Sequence, residues 1–389
     1  MDRMEMDKRV SIAGCEDYEE ASVETALDEL FAPLGALDWV KPGMRIAIKA
    51  NMVIARTPDK AATPHPVIAR ALTKRLVARG AEVVLGDSPG GPFSRALLES
   101  YYRITKLNSI TEAGGTLNYD FGETVVKVPQ GKVIDEFFCC DFLLKADAII
   151  DLCKLKTHGL MGFTGACKNM FGGVTGVHKA EYHYRFPEHG QFASMLVDIC
   201  EFFKPTLSIC DGVVAMEGNG PSMGDPRHMG VLLASFNPHA LDLAASYIIG
   251  FNAQDIPTLS DAVSRGLIPE HAHDLTVYGD MDAFRVTDFK HQPLGDIQIF
   301  GLKAQWFSDL AKALIVRRPV ADSNCIGCGK CMEACPARAI VMKEKRPKID
   351  RKKCISCFCC GEFCPAGAMK VYEPPLARML HAAQRKQGR

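Results

Sequence analysis

Eight cysteines near the carboxyl end carry the clearest chemistry in this 389-residue chain. Cys325, Cys328, Cys331 and Cys335 recur as Cys354, Cys357, Cys360 and Cys364, each displaced by 29 residues. Each copy reads C-x2-C-x2-C-x3-C-P, closed by Pro336 and Pro365. At this spacing three thiolates fold around one 4Fe-4S cubane, while the fourth is carried off to ligate the other cluster. The expected cofactors are two 4Fe-4S clusters. One is held by Cys325, Cys328, Cys331 and Cys364, the other by Cys354, Cys357, Cys360 and Cys335. Gly327 and Gly329 supply the backbone freedom for tight wrapping. Four thiolates also suit zinc, but structural zinc sites use two separated C-x2-4-C pairs rather than a run of four. Cys359 falls outside the spacing and reads as a bystander thiol. Cys200 and Cys210 read as small buried hydrophobes; Cys153 and Cys167 flank a second polar segment.

That second segment, 154–185, reads KLKTHGLMGFTGACKNMFGGVTGVHKAEYHYR. It holds five Lys or Arg, one acidic residue, three histidines and six glycines. Glycine frees backbone N–H groups to face an anion, and lysine adds a point charge. No Walker A or G-x-G-x-x-G turn is present, so no nucleotide fingerprint applies. Lys154, Lys156, His158, Lys168 and Asn169 are the candidates here, with Lys156 and His158 as proton-transferring residues. A transition metal on these histidines and cysteines is the competing use, although no i,i+4 pair occurs.

Between the cysteine quartets, 341–353 carries seven Lys or Arg against Glu344 and Asp350. This is either a solvated hairpin face or a docking face for an acidic electron carrier such as a ferredoxin or flavodoxin.

Short apolar runs at 45–50, 81–86, 147–152 and 206–211 read as strands. Helical periodicity covers 65–79 and 190–203, where Phe192, Met195, Leu196, Ile199, Cys200 and Phe203 share a face. Continuous apolar strands alternating with helices predict a large, mainly parallel α/β domain, with a small C-terminal α+β module around the cysteines. Open parallel sheets bind ligands beyond the carboxyl ends of their strands. Those ends carry Lys49 and Asn51, Asp87, Asp151 leading to Lys154, and Asp211, with Glu217 and Asn219 in a following loop. One polar crevice binding an anionic small molecule is expected there. The domains are 1–318, 319–373 and a basic tail, 374–389, after an apolar helix at 308–316.

Lys+Arg and Asp+Glu both number 46. A formal net charge of zero speaks against nucleic acid or a membrane surface as partner. No apolar run is long enough to span a membrane, and the first residues lack a signal-peptide core. Clustered cysteines without a secretion signal point to metal in the cytoplasm rather than disulfides.

The segments IKANMV, ATPHPVIARAL, VVLGDSPGG, KLKTHGLMGFTGACKNMFGG and DGVVAMEGNGPSMG resemble the family called domain of unknown function 362, over roughly 40–300. Residues 320–370 are similar to bacterial dicluster ferredoxins, a module that many members of that family carry. Cys153 stands where a proline often precedes K-x-K-T-H. The resemblance implies the architecture and the clusters but no reaction. Three functions follow from the residues. One is an iron-sulfur oxidoreductase relaying electrons to or from the crevice ligand. The second is a non-catalytic electron-transfer subunit of a partner enzyme, and the third a metal or cofactor assembly protein.

Overall fold

The computed structural model describes residues 6–90, 93–176, 178–292, 317–375 and 379. The apolar helix expected at 308–316 lies outside them, as does nearly all of the tail.

The large domain is built on strands β1 (Arg9–Gly14), β2 (Arg45–Ala50), β3 (Glu82–Gly86), β4 (Thr116–Leu117), β7 (Ala148–His158), β8 (Gly162–Phe163), β9 (Leu207–Glu217), β10 (Asp225–Ser235) and β11 (Thr276–Tyr278). A separate hairpin pairs β5 (Glu123–Lys127) with β6 (Glu136–Cys140). The main sheet runs β11-β1-β10-β9-β7-β2-β3-β4, with β8 folded back on the end of β7. The pairs from β9 across to β4 are parallel, and β10 is antiparallel to both its neighbours.

Ile46, Ile48 and Ala50 face one side of the sheet with Ile150 and Leu152. There they pack on α1 (Glu20–Phe31), α2 (Pro66–Ala78) and α3 (Arg95–Thr105). Ala47 and Ile149 face the other side, beneath α7 (His189–Phe203). The short α4 (Asp141–Leu144), α5 (Gly165–Asn169), α6 (His178–Arg185), α8 (Pro238–Ile248) and α9 (Pro257–Ser264) complete the helices of this domain. From β2 the chain steps outward to β3 and β4, then returns to place β7 on β2's other flank. The switch in direction lies between β2 and β7, where such sheets open a crevice.

β7 and β9 run well past the expected ends at 152 and 211, to His158 and Glu217. Lysines mark the end of a buried strand only when they lack partners. Here Lys154 pairs in register with Asp211 across β7 and β9, so the strand continues through the charge. The K-x-K-T-H stretch is therefore buried strand, not loop.

The C-terminal module begins with β12 (Arg318–Ala321), antiparallel to β15 (Met369–Tyr372). Between them lie α10 (Lys330–Glu333), the hairpin β13 (Ile340–Lys343) and β14 (Arg346–Ile349), and α11 (Cys359–Glu362). α11 is α10 displaced by 29 residues. The backbone repeats as well: Gly327 and Gly329 have φ of 71° and 78°, and their counterparts Ser356 and Phe358 have 54° and 60°.

α8 enters the sheet face through Asn237, whose side-chain oxygen accepts from the N–H groups of His239 (3.0 Å) and Ala240 (3.2 Å). Asn237→Ala should lower global stability by about 1 kcal/mol in denaturant melts. An unchanged midpoint would mean that the cap is idle.

Candidate functional site

The cysteines assemble as two crossed sets. Cys325, Cys328, Cys331 and Cys364 line one small cavity together with Ile326 and Met342. In the other set, burial and then the nearby Cys357 and Cys335 thiols push the Cys354 thiol up, and Cys360 is raised by burial and then by Cys357, Cys354, Cys331 and Cys335. The Ala339 and Ala368 N–H groups donate to Cys335 Sγ and Cys364 Sγ, both at 3.2 Å. These two contacts are also 29 residues apart. All-thiolate donors with amide hydrogen bonds to sulfur fit iron-sulfur clusters.

The module sits on the carboxyl ends of the strands. His158 is fully buried, and its Nε2 lies 3.1 Å from Glu362 Oε1 of α11. Its Nδ1 accepts from the Leu160 and Met161 N–H groups (3.1 and 3.2 Å), so the proton belongs on Nε2, facing Glu362. Burial pushes the His158 pKa down to about 4. Burial pulls Glu362 upward, but His158 and Lys168 outweigh it and hold the carboxyl well below its usual range. Ser222 Oγ donates to the Glu362 carbonyl at 3.2 Å. Phe363 lies flush on Gly90, where a Cβ would come within 2.0 Å of its ring.

Between the module and the sheet lies a cavity of about 720 Å³. Lys49, Asn51, Asp87, Lys168 and Asn169 are on its wall. Lys49 Nζ donates to Asn169 Oδ1 (2.6 Å) and lies 3.0 Å from Asp87 Oδ1. Asn51 Nδ2 donates to the same Asn169 oxygen at 2.9 Å. Asn169 Nδ2 donates to Asp151, whose carboxyl burial raises to about 8. Only glycine fits at 172, since a Cβ would lie 2.4 Å from Lys49 Nζ. Lys179 donates to the Ser88 and Val174 carbonyls, and burial lowers its ammonium to about 8. Lys168 ends in no hydrogen bond or ion pair among the described residues, and burial lowers its pKa while Glu362 opposes the shift. The lining also has an apolar part: Ile54, Leu97, Tyr101, Ile104, Phe171 and Phe363.

Other residues read from the sequence lie elsewhere. Lys154 Nζ is buried against Asp211 Oδ2 (2.7 Å) and Tyr18 Oη (3.0 Å). Asp211 also accepts from Tyr18 Oη and the His65 N–H. Lys156, fully buried, donates to Asn51 Oδ1 (2.5 Å) and the Ala62 carbonyl (2.6 Å). The expected proton-transferring pair, Lys156 and His158, is itself off the cavity lining and committed to protein partners, of which Asn51 and Glu362 are on it. Glu217 is buried beside Lys290 (3.0 Å), and Asn219 accepts from Gln292 at 3.0 Å. Lys179 and His183 are polar wall residues that strand-end reasoning missed. They arrive on α6, which only tertiary packing brings there. Cys359, Glu362 and Phe363 carry no local signal, because their place depends on how the module docks.

The domain of unknown function DUF362 matches residues 46–247, and a 4Fe-4S dicluster domain matches 324–368. The chain belongs to the DUF362 family. It is 31% identical to a thylakoid-associated protein of Synechocystis sp. over 275 residues, 69% of this chain and 82% of that one. Among solved structures it is similar to the lactate racemase apoprotein of Thermoanaerobacterium thermosaccharolyticum, with a TM-score of 0.35 and 12% identity. The match covers 58% of this chain and 54% of that one. A Thermotoga maritima protein gives a TM-score of 0.35 at 13% identity, over 60% and 59% of the two chains. This DUF362 chain spans little more than half of either solved structure, and at these scores neither bears on function. No helix among its described residues is long and apolar enough to cross a membrane.

Acid should loosen this DUF362 fold. Burial holds His65, His158 and His183 near pKa 4, below the ordinary 6.5. The unfolded chain takes up their protons first, so stability is full above pH 6.5 and falls as pH drops toward 4. Anaerobic melts from pH 7.5 to 5 should show this slope, shallower in His158→Gln. Superimposable profiles would remove His158 from the account.

Proposed function

We propose that this is an iron-sulfur oxidoreductase. Its two 4Fe-4S clusters relay electrons to or from an anionic substrate or cofactor held in the 720 Å³ cavity. One observation carries the reading: both parts of the chain build the cavity wall. Ala334, Cys359 and Pro365 line it, and each is the chain neighbour of a cluster cysteine, namely Cys335, Cys360 and Cys364. Neighbouring Cα atoms are about 3.8 Å apart, so a bound molecule sits beside ligands of both clusters. When bound, the clusters supply single-electron transfer. The protein's residues do the rest. Lys168 holds the anionic group, Tyr101, Phe171 and Phe363 pack its apolar body, and Lys179 exchanges a proton near neutral pH. The volume suits a cofactor-sized molecule.

Electrons enter by the exposed hairpin. Met342 of β13 borders the first cysteine set, and the basic side chains from Lys343 to Lys353 are all exposed. An acidic ferredoxin or flavodoxin in the cytoplasm is the partner this charge would steer. Replacing Lys343, Lys345 and Lys348 with glutamate should slow electron exchange several-fold at low salt and leave it unchanged at high salt. Equal rates at low salt would make the hairpin ordinary surface.

Lys168→Met tests the cavity. A charge-assisted contact contributes about 1.5–3 kcal/mol, so affinity for the anion should fall roughly ten- to a hundred-fold. Binding would be screened with anionic metabolites and flavin nucleotides, alongside melting. Iron and labile sulfide should stay at about eight each per chain. If no anion distinguishes the variant from wild type, the cavity is not an anion site.

A further inference from the structure

A second cluster of metal-type donors lies beneath the cavity, on the sheet face covered by α5, α7 and α8. Cys167 of α5, Cys200 of α7 and His239 of α8 each point one donor atom inward, and the three atoms lie within 4.8 Å of one another. All three residues are at most 1% exposed. Their sequence separations follow no metal motif, since only packing of three helices brings them together.

The histidine is set as a ligand would be. Its Nε2 lies 3.0 Å from Glu201 Oε1, while Nδ1 is buried, makes no well-aligned hydrogen bond among the described residues and has the Cys167 thiol as its neighbour. A carboxylate on one ring nitrogen, with the other turned toward soft donors, is the usual outer arrangement of a metal-bound imidazole. Cys167 is fixed from behind: Asp242 accepts from the Ala166 and Cys167 N–H groups at 2.6 and 2.9 Å. Two thiolates balance a divalent charge, which a dry interior otherwise tolerates poorly. Zinc bonded to sulfur at about 2.3 Å needs sulfurs about 3.8 Å apart in a tetrahedron, within reach of the present spacing.

We infer that Cys167, Cys200 and His239 bind one thiophilic divalent cation of the zinc type, with Glu201 orienting the imidazole. It would be separate from the iron-sulfur clusters and would pin α5, the helix that carries Lys168 and Asn169 to the cavity. The inference does not depend on what the cavity binds, and its readout is metal content rather than turnover.

The test uses the full chain, purified anaerobically with its clusters in place and offered Zn²⁺ or Co²⁺. The expected result is about one zinc per chain beside the iron, and thiolate-to-cobalt absorption after Co²⁺ exchange. Cys200→Ser and His239→Asn should each lose that zinc and that absorption while iron stays constant. Glu201→Gln keeps all three donors; it should fold and bind Zn²⁺ roughly ten- to a hundred-fold more weakly against a chelator. It decides the matter where a ligand variant fails to fold. The inference is overturned if the wild type takes up neither ion, if zinc persists in Cys200→Ser, if Glu201→Gln binds as tightly as wild type, or if Cys167 and Cys200 are recovered as a disulfide.

Discussion

Three lysine side chains with almost no exposure, Lys49, Lys154 and Lys156, stand where β2 and β7 approach their carboxyl ends, and burial pushes the Lys156 pKa well below its usual range. Withdrawing each from water costs several kcal/mol unless a partner meets it. Much of the surrounding architecture answers that demand. Asp211 sits opposite Lys154 in register, Asn51 turns back to Lys156, and α5 brings Asn169 onto Lys49. Lys168, which also lines the cavity, is left with no such partner among the described residues. Binding chemistry thus falls where the internal partners run out, at Lys168 and its neighbours.

The same economy explains the docking of the cysteine module. His158 has its Nδ1 filled by two backbone N–H groups, and its remaining nitrogen meets Glu362. A buried carboxylate and a neutral imidazole are matched there without a full ion pair being taken out of water. This contact roofs the crevice with α11 and leaves the basic hairpin on the module's exposed side. One face of the module therefore looks into the cavity and another outward.

The cysteine repeat was legible because ligand spacing is local, and β2 and β3 because their apolar runs are continuous. The longer reach of β7 and β9 was not. Lys154 and Asp211 each look like strand-ending charges until they are seen to neutralise one another across the ladder. Lys49, Asn51 and Asp87 were readable from the rule that strand ends face ligands, whereas Lys156 and His158 obey the same rule yet are consumed by Asn51 and Glu362. The Cys167–Cys200–His239 group left no trace in spacing, because its donors come from three separate helices.

The two halves of the module place their glycines differently. Where the first half uses Gly327 and Gly329 for left-handed turns, the second holds Ser356 and Phe358 in the same conformation. A side chain there costs roughly 1–2 kcal/mol relative to glycine's freedom. Phe358 is buried against the large domain beside Asn219 and Ser222, with the Arg317 guanidinium 5.7 Å above its ring. The trade also runs the other way, since Arg338 of the first half (φ 47°) stands where the second has Gly367 (φ 61°), but it is the second half's Phe358 that forms the joint with the large domain. An isolated module would keep that strain without the contact that offsets it, so its second half is shaped for life attached to its neighbour.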